Sequence, residues 1–319
     1  MQILYNGMMN VYKEKGYTSS DVVARLRGIL KMKKIGHTGT LDPDAEGVLP
    51  VCLGNGTKIC DLIADRDKEY IAVMRLGVTT DTQDMTGTCL ERMEDEVVRE
   101  AVTQERILEV CKQFTGSIDQ IPPMYSAVKV NGKRLYQLAR QGKTVERKPR
   151  QVQIYELEVL GTEIPLVSMR VRCSKGTYIR TLCHDIGQAL GTGAAMESLL
   201  RTRVGTFRVE DTIRLDDAEA IMHSQTPARI QDYILPVDSF FDSAPRVAVR
   251  KEGMRYLMNG NQLERRLTYV LRNAPAADDS EIVSDGSIVR IYGEDGKFYA
   301  LYRYNARTDR FTGYKMFLP

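Results

Sequence analysis

The segment Gly36-His37-Thr38-Gly39-Thr40-Leu41-Asp42-Pro43-Asp44-Ala45-Glu46-Gly47 constrains this chain more than any other stretch. Glycines at 36, 39 and 47 admit backbone shapes that other residues resist, Pro43 fixes its own φ, and that proline biases Asp42 toward an extended conformation. The apolar run Val48-Leu49-Pro50-Val51-Cys52-Leu53 follows at once and reads as a buried strand. One carboxylate is thereby held at a rigid bend. Two readings fit: a site built around a positioned acid, or a strand-entry turn in which Asp42 bonds its own backbone.

Before this loop, Asn10 to Lys13 reads as a strand. Thr18-Ser19-Ser20-Asp21 then offers N-caps for a helix carrying Val22, Val23, Leu26, Ile29 and Leu30, closed by the basic cluster 31–34. Beyond it come a helix near 57–65, a strand over 68–77, and a polar, turn-rich stretch over 79–87. Residues 104–114 form an amphipathic helix, and Ile121-Pro122-Pro123 breaks regular structure. Met124 to Val130 followed by Asn131-Gly132 is a hairpin signal leading into a basic helix near 134–141. Strands are expected over 151–161, 166–173 and 199–209, with helices over 177–190 and 215–222. This mixture argues for an α+β fold. Past residue 243 the texture changes to short β-like pieces at 247–249, 287–292 and 298–304, which suit a small barrel or sandwich. The segment 274–280, Ala-Pro-Ala-Ala-Asp-Asp-Ser, is expected to be a mobile loop.

A chain of 319 residues with 43% apolar content is enough for about two domains. No run approaches the ~18 apolar residues of a membrane span, and the first residues lack the pattern of a signal peptide, so a cytoplasmic protein is expected. Six cysteines without a C-x-x-C pair imply reduced, mostly buried thiols rather than a zinc knuckle or disulfide framework. The histidines at 37, 184 and 223 show no ligand spacing, and no metal is expected; His184-Asp185 beside Cys183 belongs to an ordinary helix.

Net charge is only +3, but it is unevenly spread. Lys129, Lys133, Arg134, Arg140, Lys143, Arg147, Lys148 and Arg150 face the single acid Glu146 across 129–150, with Tyr125 and Tyr136 in or near the run. Such a segment suits phosphate contacts with base stacking, and equally suits a solvated face.

Several of these stretches resemble motifs of the TruB family of tRNA pseudouridine synthases. The loop 36–50 resembles that family's catalytic loop, departing from it at Asp44, where leucine is usual, and Glu46, where threonine is usual. Lys13-x-x-Gly16-x-Thr18-Ser19 resembles its opening motif, with Glu14 in place of proline. Lys68-Glu69-Tyr70 with Arg75-Leu76-Gly77 and Thr80-Asp81-Thr82 resembles the second. Gln120-Ile121-Pro122-Pro123-x-Tyr125-Ser126-Ala127-x-Lys129, Cys173 to Thr181, and Leu200-Arg201-x-x-x-Val204-Gly205-x-Phe207 resemble three more, in the same order.

The resemblance implies a largely antiparallel mixed-sheet catalytic domain of the pseudouridine synthase type over 1–242, with a basic insertion near 124–150, and a small β-rich PUA-like domain over 243–319. It implies isomerisation of the T-loop uridine at tRNA position 55, on a flipped-out base, by a stand-alone monomer without cofactor or guide RNA. Asp42 is then the catalytic carboxylate, kept ionised by Arg180 despite Asp44 and Glu46. Tyr70 lies against the uracil, His37 fills the space that the nucleotide leaves, and Tyr178 and Leu200 wall the pocket. Lys129, Lys133, Arg134, Arg140 and Lys143 grip the tRNA T-stem loop.

Rival readings are weaker. Asp42-x-Asp44-x-Glu46-Gly47 copies the start of a calcium loop, but Leu53 stands where a bidentate glutamate is needed. Gly142-Lys143-Thr144 lacks the upstream glycine of a phosphate-binding loop. The alternative of substance is a protein of the same fold that binds and folds tRNA with little or no catalysis.

Overall fold

The computed structural model describes residues 5–130, 132–271 and 283–318. Up to residue 242 the elements run β1 (Gly7–Lys13), α1 (Ser19–Ile29), β2 (Ile35–His37), β3 (Glu46–Leu53), α2 (Cys60–Ala64), β4 (Lys68–Leu76), β5 (Val78–Thr80), β6 (Cys89–Arg92), α3 (Asp95–Ala101), α4 (Gln104–Gln113), β7 (Gly116–Gln120), β8 (Lys129–Val130), β9 (Lys133–Arg134), α5 (Leu135–Ala139), β10 (Arg150–Glu163), β11 (Leu166–Cys173), α6 (Ile179–Leu190), β12 (Ala194–Val204), β13 (Phe207–Arg208), α7 (Leu215–His223) and β14 (Ile234–Leu235).

Ten of these strands form one sheet in the order β14-β1-β3-β12-β4-β11-β10-β7, with β2 on β3 and β13 on β12. Its strand pairs are antiparallel except for the short β3–β12 pairing. The fold is therefore mixed α/β with a largely antiparallel sheet, as the sequence implied.

Alternation decides which face each strand buries. Met9 and Val11 of β1 with Leu49, Val51 and Leu53 of β3 pack against Val22, Val23 and Leu26 of α1 and Leu215 and Ala218 of α7. Met8, Val48 and Cys52 point to the opposite face. Because β3 is covered on both sides, its sequence reads as an unbroken apolar run, and each such side chain contributes ~1.5–3 kcal/mol on burial. Farther along the sheet, Ala72, Met74, Val167, Met169 and Val171 pack beneath α4 and α6, and the core there also takes in Leu41, Ala45 and Tyr70.

The remaining elements are β15 (Arg246–Val249), α8 (Met254–Met258), β16 (Leu263–Glu264), β17 (Thr268–Val270), β18 (Ile288–Tyr292), β19 (Phe298–Asn305) and β20 (Arg310–Met316), whose strands make a six-stranded barrel-like sheet. Leu301 and Phe317 from this region enter the same apolar cluster as Met8, Val48, Cys52, Ile59 and Phe207. Asn55 Nδ2, just past β3, donates to the carbonyls of Phe317 (3.0 Å) and Leu318 (2.7 Å).

Several expectations shift. The strand expected over 199–209 begins earlier, at Ala194, and turns at Gly205 into β13. The acidic stretch after 91 contains α3, packed through Val98. Cys52 and Cys60 are paired as a disulfide, contrary to six reduced thiols; the turn after β3 returns Cys60 toward Cys52, with the two Cα atoms 6.4 Å apart. The other thiols are free, with Cys111, Cys173 and Cys183 buried and Cys89 exposed. The expected mobile loop at 274–280 and the turn residue Asn131 lie outside the described residues. No helix among the described residues is long and apolar enough to cross a membrane.

Candidate active site and RNA-facing surface

The loop between β2 and β3 is fastened from several directions. A turn closes with the Ala45 amide donating to the Asp42 carbonyl at 3.1 Å. Ser19, at the start of α1, accepts from the Leu41 amide at 2.9 Å and donates to its carbonyl at 3.3 Å. Lys13, at the end of β1, is fully buried; its Nζ donates to the carbonyls of Pro43 (2.9 Å), Ala45 (2.5 Å) and Glu14 (3.1 Å). Burial lowers the Lys13 ammonium to about 8. Gly47 has φ +102°, and a Cβ there would collide with the Arg201 carbonyl, so glycine is required.

This framework presents Asp42 to Arg180, the second residue of α6. Arg180 Nε lies 3.0 Å from Asp42 Oδ2 and its Nη2 lies 3.4 Å from Oδ1, a forked contact. The Asp42 side chain is 40% exposed and that of Arg180 6%, so the acid is open to solvent while its partner is buried behind it. Arg180 is itself held by the carbonyls of Thr82 (3.0 Å) and Tyr125 (2.9 Å) and by Asp84 Oδ2 (3.3 Å).

Burial pushes the Asp42 carboxyl above its ordinary range. Arg180 pulls it back, Asp84 pushes it up, Lys13 lowers it, and Asp44 adds a smaller upward push. The acid that opposes ionisation most is thus Asp84 rather than the loop neighbours. Asp44 is exposed, and Glu46 instead accepts from the Tyr12 hydroxyl at 3.4 Å.

Tyr70 on β4 is buried beside the loop, with its hydroxyl pushed up to about 12 by burial. Tyr178 caps α6, held by a pair of hydrogen bonds between its backbone and the Gln120 amide group at 3.0 and 3.2 Å. Leu200 on β12 is half-buried and sits in register with Glu46 and Ile71. His37 ends β2, its Nδ1 without a hydrogen-bond partner, and burial together with Arg201 pushes its imidazole down.

Two family models match this chain: that of the TruB family pseudouridylate synthase N-terminal domain over residues 27–179, and that of the tRNA pseudouridylate synthase B C-terminal domain over 180–242. The chain belongs to the TruB family. Among the relatives of this TruB-family chain, tRNA pseudouridine synthase B of Lachnoclostridium phytofermentans is 52% identical across 98% of this chain and all of that protein. The protein of the same name from Clostridium tetani is 43% identical across 93% and 94%. A solved structure described as an H/ACA RNP bound to a substrate RNA containing 2′-deoxyuridine superimposes with a TM-score of 0.66, at 28% identity, covering 98% of this chain and 85% of that one.

Asp42, Arg180, Tyr70, Tyr178, Leu200 and His37 thus gather around the TruB-type loop. The basic insertion is the hairpin β8–β9 followed by α5, where Lys129, Lys133, Arg134, Arg140 and Lys143 are all exposed. Arg134 and Arg140 lie over the Tyr136 ring, 6.0 and 5.6 Å from its centre. Sequence reasoning gave no role to Lys13, Asp84 or Arg201. A signal existed for Arg201: it stands two residues after buried Leu199 in a strand and so faces inward.

Proposed function

We propose that this protein isomerises the T-loop uridine of tRNA at position 55 to pseudouridine, and that it does so as a stand-alone, monomeric, cytoplasmic enzyme. The observation that carries the reading is the Asp42–Arg180 pair, an acid open to solvent backed by a buried guanidinium. Binding alone has no use for it: an exposed carboxylate facing a polyanion weakens RNA affinity.

In this reading residues 1–242 form the catalytic domain and 243–319 a PUA-like RNA-binding domain. The insertion 124–150 closes on the T loop through Lys129, Lys133, Arg134, Arg140 and Lys143. The target base is extruded into the cleft, where Tyr70, Tyr178 and Leu200 restore the contacts it loses on unstacking, and His37 fills the gap in the loop. The C1′–N1 bond then breaks, Asp42 supports the sugar or base in that state, the base turns, and C5 bonds to C1′ while its proton is lost and N1 gains one. The reaction is an isomerisation, and nothing in it requires an oxidant or a metal.

The test incubates purified protein with an unmodified tRNA transcript and maps pseudouridine by carbodiimide treatment and primer extension, beside Asp42→Ala. A new stop at the T-loop uridine with wild type only, at equal tRNA binding, supports the reading. Tight tRNA binding with no stop moves the protein to the tRNA-binding and folding class.

A further inference from the structure

Arg201 is among the largest wholly buried side chains of the protein, 2% exposed, and among the described residues it makes no ion pair. Its Nε donates to the Val48 carbonyl at 2.7 Å and its Nη2 to the Gly39 carbonyl at 3.3 Å, so it bridges the two sides of the Asp42 loop. The Tyr70 hydroxyl is its further hydrogen-bonding neighbour. The other titratable groups facing it are His37 on β2, Lys13 on β1 and Lys68 on β4, and its charge disfavours the protonated form of each. A buried charge without a counter-ion is costly, and neutral side chains could hold two carbonyls at less expense.

We propose that Arg201 is a positioning residue that also acts electrostatically. It fixes the loop and Tyr70 from beneath, and its unneutralised charge favours the negative charge that the uracil acquires as it is detached. The proposal deepens the pseudouridine synthase reading and rests on it. When the C1′–N1 bond breaks, its electron pair remains on the uracil ring while the sugar's deficiency is met at Asp42 or by loss of a sugar proton; if Asp42 adds to the base first, the ring oxygens carry the charge. Each route makes the base transiently anionic next to Tyr70, and preoriented charge in a water-poor site acts strongly there. Burial first, and this field after it, disfavour protonation of His37, suiting it to stack rather than to pair with phosphate.

The test compares full-length wild type with Arg201→Gln, Arg201→Lys and Arg201→Met. Single-turnover rate constants are measured on tRNA transcript, tRNA affinity by filter binding, and imidazole titration of the three histidines by NMR. Arg201→Gln is expected to slow the single turnover by ~100-fold or more with affinity changed by less than about threefold, and Arg201→Lys to recover about tenfold of that loss. The His37 titration is expected to move upward in Arg201→Gln and to stay near wild type in Arg201→Lys, a readout that needs no turnover. Equal rates for Gln and Lys, or an unmoved His37, overturn the electrostatic role and leave a hydrogen-bonded clamp. Should Arg201→Gln fail to fold, Arg201→Lys is still decisive, since a rate as low as that of Arg201→Met contradicts the proposal. A wild type without turnover counts against the pseudouridine reading instead, and the His37 comparison stands apart from it.

Discussion

Replacing Asp84 by asparagine separates two influences that the surroundings of Asp42 combine. Asp84 helps hold Arg180 in line, through a 3.3 Å contact between side chains only 12% and 6% exposed. It also opposes ionisation of Asp42. Asparagine still accepts from Arg180 but without the charge, and a charged hydrogen bond exceeds a neutral one by ~1–1.5 kcal/mol, so weaker positioning should lower the plateau rate roughly 5- to 13-fold. In the proposed reaction Asp42 acts as its carboxylate, and that form disappears as pH falls through a pKa raised by burial. Removing the Asp84 charge takes away one raising influence, so the acid limb of the pH–rate profile should move to lower pH even as the plateau drops. Arg180→Gln withdraws a lowering influence and should move the limb the other way, while Asp44→Leu should move it less than Asp84→Asn does. Tritium release from C5-labelled uridine in tRNA under single-turnover conditions gives both quantities. An unchanged plateau in Asp84→Asn, or a limb displaced to higher pH, would refute this account of the Asp42–Arg180–Asp84 arrangement.

Further consequences are equally open to measurement. Lys13, lowered to about 8, loses its proton as pH rises through that value, and with it the ammonium grip on the Pro43 and Ala45 carbonyls. Activity should therefore decline on the alkaline side near there, and a pH profile of Lys13→Arg should show that limb displaced upward. Lys133→Ala and Arg134→Ala should each weaken tRNA binding and reduce the slope of log affinity against log salt by up to about one, without altering the single-turnover rate at saturation. Phe207→Ala, which removes a buried ring stacked 5.5 Å from Phe240, should destabilise the protein by ~3–5 kcal/mol in a denaturant titration.

The Asp42 loop was legible because its signals are local: glycine and proline punctuate it, and an apolar strand follows. Gly47 is the clearest case, with a left-handed backbone pressed against β12. The long amphipathic helices α1, α4 and α6 were legible for the same reason, and Thr18 caps α1 as its chemistry suggests. The partners of Asp42 were not local. Arg180 stands 138 residues away and was found through resemblance, and Asp84, which lies 96 residues before Arg180, sits in a turn whose acids look alike in sequence. The inward-facing cation at 201 offered a periodicity cue, but what it grips depends on β12 running parallel beside β3, a pairing no short-range pattern encodes. The Cys52–Cys60 pairing likewise depends on how the chain returns after β3 rather than on spacing.

One apolar cluster belongs to both sheets: Met8, Val48 and Cys52 from the large one meet Leu301 of the small one and the nearby Phe317, while Asn55 clasps the backbone at 317 and 318. Such a shared interior makes melting cooperative across the boundary. Heat or denaturant that opens the small sheet uncovers the back of β3, the strand that anchors the Asp42 turn. Loosening of the small sheet should therefore reach the turn that carries Asp42, and the two sheets should melt close together.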